Sequence, residues 1–236
     1  MFQFKQFSVK QDKCAMKVGT DGVLLGAWTP IQSNPRSILD IGSGTGIIAL
    51  MLAQRSNAMQ IDALEIDADA YEQTVENFEE SPWGDRLFCY HASLDEFTEE
   101  IQGEETYDLI VSNPPFYTED FTTNNIQRNI ARFSSAMPFE DLLESVSLLL
   151  ADKGIFCVII PYKEEPVIIE LAEKFKLYPF KITHVQGMLD SSVKRSLIAF
   201  SAINTEIEIT RLIIETGRHH YTPEYIALTQ DFYLKM

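Results

Sequence analysis

Between Ser37 and Arg55 the chain reads SILDI, GSGTG and IIALMLAQR: a short apolar strand, a glycine-rich turn and a helix. Glycine at every second position, Gly42, Gly44 and Gly46, admits a sharp strand-to-helix turn. That unit is the first of a series. Strands are expected over Gln60 to Ile66, Leu87 to His91 and Tyr107 to Ser112, with a helix over Ala68 to Glu80. Phe139 to Leu150 has helical spacing and is expected to end at a turn near Asp152-Lys153-Gly154. Ile155 to Ile160 is continuously apolar, as a strand covered on both faces should be. A helix over Glu164 to Phe175 and strands over Pro179 to Gln186 and Ser196 to Ser201 complete the series. Repeated strand-helix units predict an α/β, Rossmann-like fold with a mostly parallel sheet and helices on both faces.

The ends are elaborated. Residues 1–35 hold an alternating FQFKQFSV and a helix from Asp21 to Trp28; residues 202–236 hold an alternating EIEIT and an aromatic-rich closing helix. With no linker or repeat in view, a single domain is expected, its core spanning residues 36–201. The first residues lack a signal peptide's apolar stretch, and no run is long enough to span a membrane. Cys14, Cys89 and Cys157 are scattered and odd in number, so neither a disulfide framework nor a metal site is expected. A soluble cytoplasmic protein with no membrane or metal partner is the simplest reading.

The formal charge of −16 disfavours a polyanionic partner. The charge is uneven, however. Lys5, Lys10, Lys13 and Lys17 face only Asp12 in the first nineteen residues, and Lys194-Arg195 and Arg218-His219-His220 form two more cationic spots. Exposed charges are screened beyond roughly 8 Å at physiological salt, so a local basic face can still hold phosphates. Charge alone leaves that reading and a plain solvated surface equally open.

Gly42-Ser43-Gly44-Thr45-Gly46 is GxGxG, not the GxGxxG dinucleotide fingerprint. Asp40 just before it repels a phosphate and attracts an ammonium or sulfonium group. Glu65, nineteen residues beyond Gly46, falls at the end of the second core strand, where a carboxylate can accept both hydroxyls of a ribose. The combination suits S-adenosyl-L-methionine better than NAD.

The fourth core strand runs into Ser112-Asn113-Pro114-Pro115-Phe116-Tyr117. Two prolines stop a strand and stiffen the loop after it. In a parallel sheet this strand ends at the same edge as the first, where ligands bind. An adenine amine is a poor nucleophile because its lone pair is delocalised into the ring. The Asn113 side-chain oxygen and the Pro114 carbonyl are suitable acceptors for that amine as it pyramidalises. Phe116 offers a stacking face. An isolated NPPF is ordinarily a turn; its place after this strand favours the chemical reading.

With these residues the chain resembles class I S-adenosylmethionine-dependent methyltransferases of the (D/N/S)PP(Y/F/W) type. Among them it is similar to the bacterial tRNA1(Val) (adenine-N6)-methyltransferases, which act on the adenosine beside the anticodon. The resemblance rests on KQFSVKQDKCAMKVGTDGVLLGAW (Lys5 to Trp28), LDIGSGTGIIALMLAQR, SNPPFY, ARF (Ala131 to Phe133), FCVIIP and YTPEYIALTQDFYLKM. It implies that Asp40, Gly42, Gly44 and Gly46 line the methionine part of the cofactor, and that Glu65 binds its ribose. It further implies that Lys17, Thr20 and Asp21 form a lid, although Thr20 or Asp21 fits equally well as a helix N-cap. Asn113, Pro114, Pro115 and Phe116 would hold the target adenine, with Asn113 also near the cofactor. Lys10, Lys13, Arg132, Lys194, Arg195 and Arg218 are the candidates for contacting the anticodon stem-loop. Ser93 stands where such enzymes usually carry an aspartate for the cofactor's adenine amine, a weaker acceptor. Protein-glutamine and DNA-adenine methyltransferases share NPPY-type motifs but normally bring a recognition region larger than 35 residues. A non-catalytic module of this fold is disfavoured by the intact glycine loop, Glu65 and NPPF.

Overall fold

The computed structural model describes residues 1–115 and 137–236. Among these, the strands are β1 (Phe2–Gln3), β2 (Ser8–Val9), β3 (Ser37–Ile41), β4 (Gln60–Glu65), β5 (Leu87–His91), β6 (Tyr107–Ser112), β7 (Leu150–Pro161), β8 (Tyr178–Met188), β9 (Val193–Ser201), β10 (Glu208–Gly217) and β11 (His220–Tyr221). The helices are α1 (Thr20–Trp28), α2 (Ile47–Arg55), α3 (Ala68–Glu79), α4 (Leu94–Ile101), α5 (Phe139–Leu149), α6 (Glu165–Lys174) and α7 (Pro223–Thr229).

β1 and β2 form a small antiparallel pair, and the rest make one sheet in the order β11-β10-β8-β9-β7-β6-β3-β4-β5. β5, β4, β3, β6 and β7 run parallel; β9 runs antiparallel between β7 and β8. The order reverses beside β3, where β4 lies on one side and β6 on the other. A crevice at the carboxyl ends of the strands is expected there.

Alternating side chains send the strands' apolar groups to two cores. Ile38, Leu109, Val111, Cys157 and Ile159 join α1, α2, Phe78 and Tyr225 on one face. Leu39, Ile41, Ile110, Phe156, Val158 and Ile160 join α4, α5 and α6 on the other. Helices on both faces are what the near-continuous apolar strands require. α1 crosses α2 closely: a Cβ at Gly26 would fall 2.8 Å from the Met51 sulfur. Both ends of the chain fasten to this body. Phe4 is fully buried, stacks on Phe7 and Tyr233, and forms a bridge with Tyr233, while Lys5 Nζ donates to the Gln230 carbonyl at 2.6 Å.

Two expectations are corrected and one helix is added. The turn near Asp152-Lys153-Gly154 is instead the start of β7, which begins at Leu150 and carries a register irregularity against β6. A Cβ at Gly154 would fall 2.9 Å from the Tyr107 carbonyl oxygen, so glycine there lets the irregular strand pair without a break. Thr20 and Asp21 do not cap α1; Gly19 occupies the N-cap with no side-chain bond. α4 was hidden by its acidic residues. Leu94 and Phe97 are buried at helical spacing, and Ser93 and Glu96 close a capping box.

A buried polar knot joins β4 to β6. Tyr107 donates its hydroxyl and Gln60 its amide to Asp62 Oδ2, each at 2.7 Å, while Oδ1 has no partner among the described residues. Burial pushes the Asp62 carboxyl above its ordinary range, against the two donors that pull it down. A raised folded-state value means stability that is present at acid pH and lost as pH rises through that value. Asp62→Asn keeps one acceptor for both donors and removes the charge. Its melting temperature should exceed the wild type's at pH 8, and the gap should close as the pH falls; an unchanged or lower value at pH 8 would contradict this.

Candidate active site

The glycine turn leaves β3 with Gly42, Gly44 and Gly46 at φ +74°, +60° and +75°. Gly46 has no alternative. A Cβ there would lie 2.6 Å from the Phe78 ring and 3.0 Å from Thr74, and the left-handed backbone already disfavours a side chain. Gly42 and Gly44 differ, because a Cβ at either would meet nothing within 4 Å. Their space opens outward, which is what a ligand lying against the backbone needs.

The Gly44 peptide is held from both sides. Its N–H donates to Glu65 Oε2 at 2.8 Å, and its carbonyl accepts from Thr74 Oγ1 at 2.9 Å and from the Cys14 thiol at 3.3 Å. Glu65 Oε1 accepts from the Asp67 N–H at 2.9 Å. With one backbone donor on each oxygen, the carboxylate retains acceptor capacity for two hydroxyls.

Asp40 is fully buried. Its Oδ2 accepts from the Ala49 N–H at 3.1 Å, and Oδ1 has no partner among the described residues. Burial first, and the nearby Glu65 charge second, push its carboxyl up to about 7 against the Ala49 hydrogen bond. Half-buried Asn113 follows β6, whose last residue, Ser112, donates to the Ile41 carbonyl at 2.9 Å and so ties the two strand ends together. Asn113 Oδ1 is itself buried without a partner among the described residues. Two orphaned acceptors therefore sit at the carboxyl ends of neighbouring strands. Buried acceptors without partners are costly, and a donor-bearing ligand relieves that cost.

Sequence reasoning missed how the N-terminal segment is fastened here. α3 buries a polar stripe, Gln73, Thr74 and Asn77, where an amphipathic helix would bury apolar groups. Asn77 accepts from the Lys10 N–H at 2.8 Å and donates to the Lys10 and Thr45 carbonyls; Gln73 accepts from the Lys13 N–H at 3.0 Å. One helix face thus staples residues 10–14 to the glycine turn. The signal was present in the sequence as amides at a spacing of three to four residues. Ile66, directly after Glu65, is 56% exposed.

The other candidates fall at several places around this edge. Lys10 pairs with Glu80 at 2.5 Å, and Lys13 with Glu76 and Glu72 at 2.8 and 3.2 Å, so both lie on carboxylates of α3 and its end. Asp21 accepts from Arg195 Nε at 2.8 Å, joining the lid candidate to a cation on β9. Lys17 and Thr20 are exposed beside it at the start of α1. Ser93 is a helix cap: its hydroxyl accepts from the Glu96 N–H and donates to the Glu96 carboxylate at 2.9 Å. Lys194 and Arg218 are exposed at the same sheet edge as the glycine turn. Pro114 is buried and Pro115 half-buried. Phe116 and Arg132 lie outside the described residues. Among the described residues, no group of three or more His, Cys, Asp or Glu is placed to hold a metal ion, and no helix is long and apolar enough to cross a membrane.

The strand order, the glycine turn beneath an open cradle and the carboxylate at the next strand end define a class I methyltransferase. Consistent with that, residues 22–138 match the methyltransferase small domain model. A predicted O-methyltransferase from Agrobacterium tumefaciens shares the fold at 18% identity, with a TM-score of 0.70 over 90% of this chain and 96% of that one. Sequence similarity is far more specific. The chain belongs to the tRNA1(Val) (adenine(37)-N6)-methyltransferase family. It is 69% identical to the Flavobacterium johnsoniae member, covering 100% of both chains, and 67% identical to the Flavobacterium psychrophilum member with the same coverage. It is an enzyme of the S-adenosyl-L-methionine-dependent kind, and the open glycine cradle, with an Asp40 Oδ1 that has no partner among the described residues, fits that cofactor.

Proposed function

We propose that the protein methylates the exocyclic N6 of adenosine 37, beside the anticodon of tRNA1(Val). The observation that carries the proposal is the orphaned Asn113 Oδ1 at the end of β6, next to the cofactor cradle, in a chain of this family. Bound S-adenosylmethionine supplies an electrophilic methyl group on a sulfonium. The chain's residues do the rest. Asp40 faces the cofactor's cationic end, Gly42 and Gly44 leave room for it against the backbone with Gly46 closing the turn, and Glu65 takes the ribose hydroxyls. Lys17, Thr20 and Asp21 cover it, and Ser93 stands near its adenine end.

Asn113 Oδ1 and the Pro114 carbonyl accept the two N–H groups of the target amine and draw its lone pair out of conjugation. Pro114 and Pro115 hold those acceptors in place, so little entropy is lost in aiming them. Phe116 stacks on the target base. No general base is needed, since the amine proton becomes acidic only once the methyl group has transferred, and no metal is needed either. Lys194, Arg195, Arg218 and Arg132 contact the RNA. Lys10 and Lys13 take a smaller share, because α3 carboxylates already neutralise them. The anticodon loop offers an unpaired base, so extruding it costs little. The protein acts in the cytoplasm as a single unit, in which residues 1–35 cover the cofactor and residues 202–236 extend the core formed by residues 36–201.

Labelled-methyl transfer to a tRNA1(Val) transcript tests this directly. Incorporation should disappear when adenosine 37 is replaced by guanosine; equal labelling of both transcripts would overturn the assignment. Glu65→Gln isolates the cofactor half. The amide keeps one acceptor oxygen but turns an NH2 toward either the Gly44 or the Asp67 N–H. Cofactor Kd should rise about 100-fold, the scale of two lost charged hydrogen bonds, and calorimetry showing a wild-type Kd would contradict the role.

A further inference from the structure

We propose that Tyr162 is a stacking platform for an unpaired nucleotide flanking the target adenosine, with phosphates of the same strand on Lys163 and Lys194. The proposal rests on the RNA substrate assigned above. Beyond the paired residues Ser112 and Val158, three residues bring the neighbouring chains of β6 and β7 to Pro115 and Pro161. Tyr162 comes next, in a one-turn helix over Tyr162–Glu164. Adjacent strands lie about 4.8 Å apart, so Tyr162 follows the strand end next to the segment that holds the reacting base, while its ring leans the other way, across β9 onto His184 of β8, where it can take a neighbour of the target base.

Tyr162 is 43% exposed, and exposure alone means little for one aromatic residue. Its restraint is what distinguishes it. The ring meets His184 edge to face, at 5.0 Å between centroids and 80° between planes. His184 Nε2 lies 2.9 Å from Glu165 Oε2, and the fully buried Ser196 donates its hydroxyl to the same carboxylate oxygen. Two strands and the start of α6 therefore fix an aromatic ring that remains open to solvent. A pre-positioned ring loses little entropy when a base stacks on it, and every base has a face to offer.

The surrounding charge fits a nucleic acid strand. Lys163 is adjacent to Tyr162 and forms a long 3.8 Å ion pair with its neighbour Glu164, and exposed Lys194 lies on β9, one residue before Arg195, which pairs in register with Pro161. Lys10 and Lys13, by contrast, are each matched by carboxylates of the α3 region.

The test uses an anticodon stem-loop RNA carrying 2-aminopurine beside the target adenosine. Wild-type protein should quench its fluorescence. Tyr162→Ala should abolish that quenching and raise the RNA KM about tenfold, with a smaller change in kcat, while Tyr162→Phe should retain both properties. Lys163→Glu combined with Lys194→Glu should raise KM further and lower the salt dependence of binding by roughly 1–2 in log–log slope. Lys153→Glu, at the opposite edge of the sheet, controls for net charge. Wild-type quenching and KM in Tyr162→Ala would overturn the platform even if methylation itself is intact. A wild type that quenches the RNA but does not methylate it would instead overturn the substrate assignment and leave the platform standing.

Discussion

Asn113→Ala should lower the rate of methyl transfer to tRNA by about 100- to 1,000-fold, the usual cost of removing one group aimed at developing charge in a transition state. Cofactor affinity should change far less, and the melting temperature should not fall. The wild-type Oδ1 is buried without a partner among the described residues, so its removal breaks no hydrogen bond in that set. Single-turnover transfer from labelled cofactor, alongside calorimetry of cofactor binding, separates the two effects. A rate loss that merely tracks weakened cofactor binding would make Asn113 a cofactor residue and leave the amine without its principal acceptor.

The second large effect is a trade between stability and binding at Asp40. Its folded-state carboxyl sits at about 7, far above its ordinary value, chiefly because it is buried. A raised value contributes stability at low pH that is lost as pH rises from about 4 through about 7. Above that window the ionised, half-orphaned carboxylate costs the cofactor-free protein on the order of 4 kcal/mol. Asp40→Asn removes the charge and keeps an acceptor for the Ala49 N–H. The amide NH2 that replaces Oδ1 is itself buried without an acceptor among the described residues, so only part of that cost is recovered, and without cofactor the melting temperature at pH 8 should rise by about 5–10 °C. On the role proposed for Asp40, an anion facing the cofactor's cationic end, the variant's affinity for S-adenosylmethionine should fall about 10- to 100-fold.

The same residue makes binding depend on pH. On the proposed role the cofactor binds ionised Asp40, so lowering the pH from 8 to 6 should weaken wild-type binding roughly tenfold. Asp40→Asn should show a flat profile over that range. A melting temperature that drops in the variant would mean that Asp40 stabilises the fold, and the buried charge would then need a partner. Strain held in a binding residue and released by its ligand is a common feature of functional sites.

Much of this was legible in the sequence because the physics was local. A GxGxG turn between an apolar strand and a helix, an acid closing the next strand and prolines ending the fourth core strand each carry their own explanation. They located Asp40, Glu65 and Asn113 at one sheet edge. What stayed hidden depended on partners distant in sequence. Lys10 and Lys13 read as a cationic tail until α3 brought Glu72, Glu76 and Glu80 beside them. Ser93 was placed by resemblance alone, and its capping box with Glu96 went unseen in the run of acids that hid α4. Gly154 read as a turn, since a glycine after Asp-Lys marks a loop more often than an irregular strand start. The polar stripe of α3 was open to view, but only the fold shows that its partners are the glycine turn and the N-terminal segment.

The most direct test of the assigned reaction is nucleoside analysis of tRNA1(Val), taken from cells lacking this modification and treated with the protein and labelled S-adenosylmethionine. Label recovered as N6-methyladenosine at position 37 with wild type, and absent with Asn113→Ala, is the predicted result. Label on another nucleoside or position, or equal labelling by the variant, would contradict it.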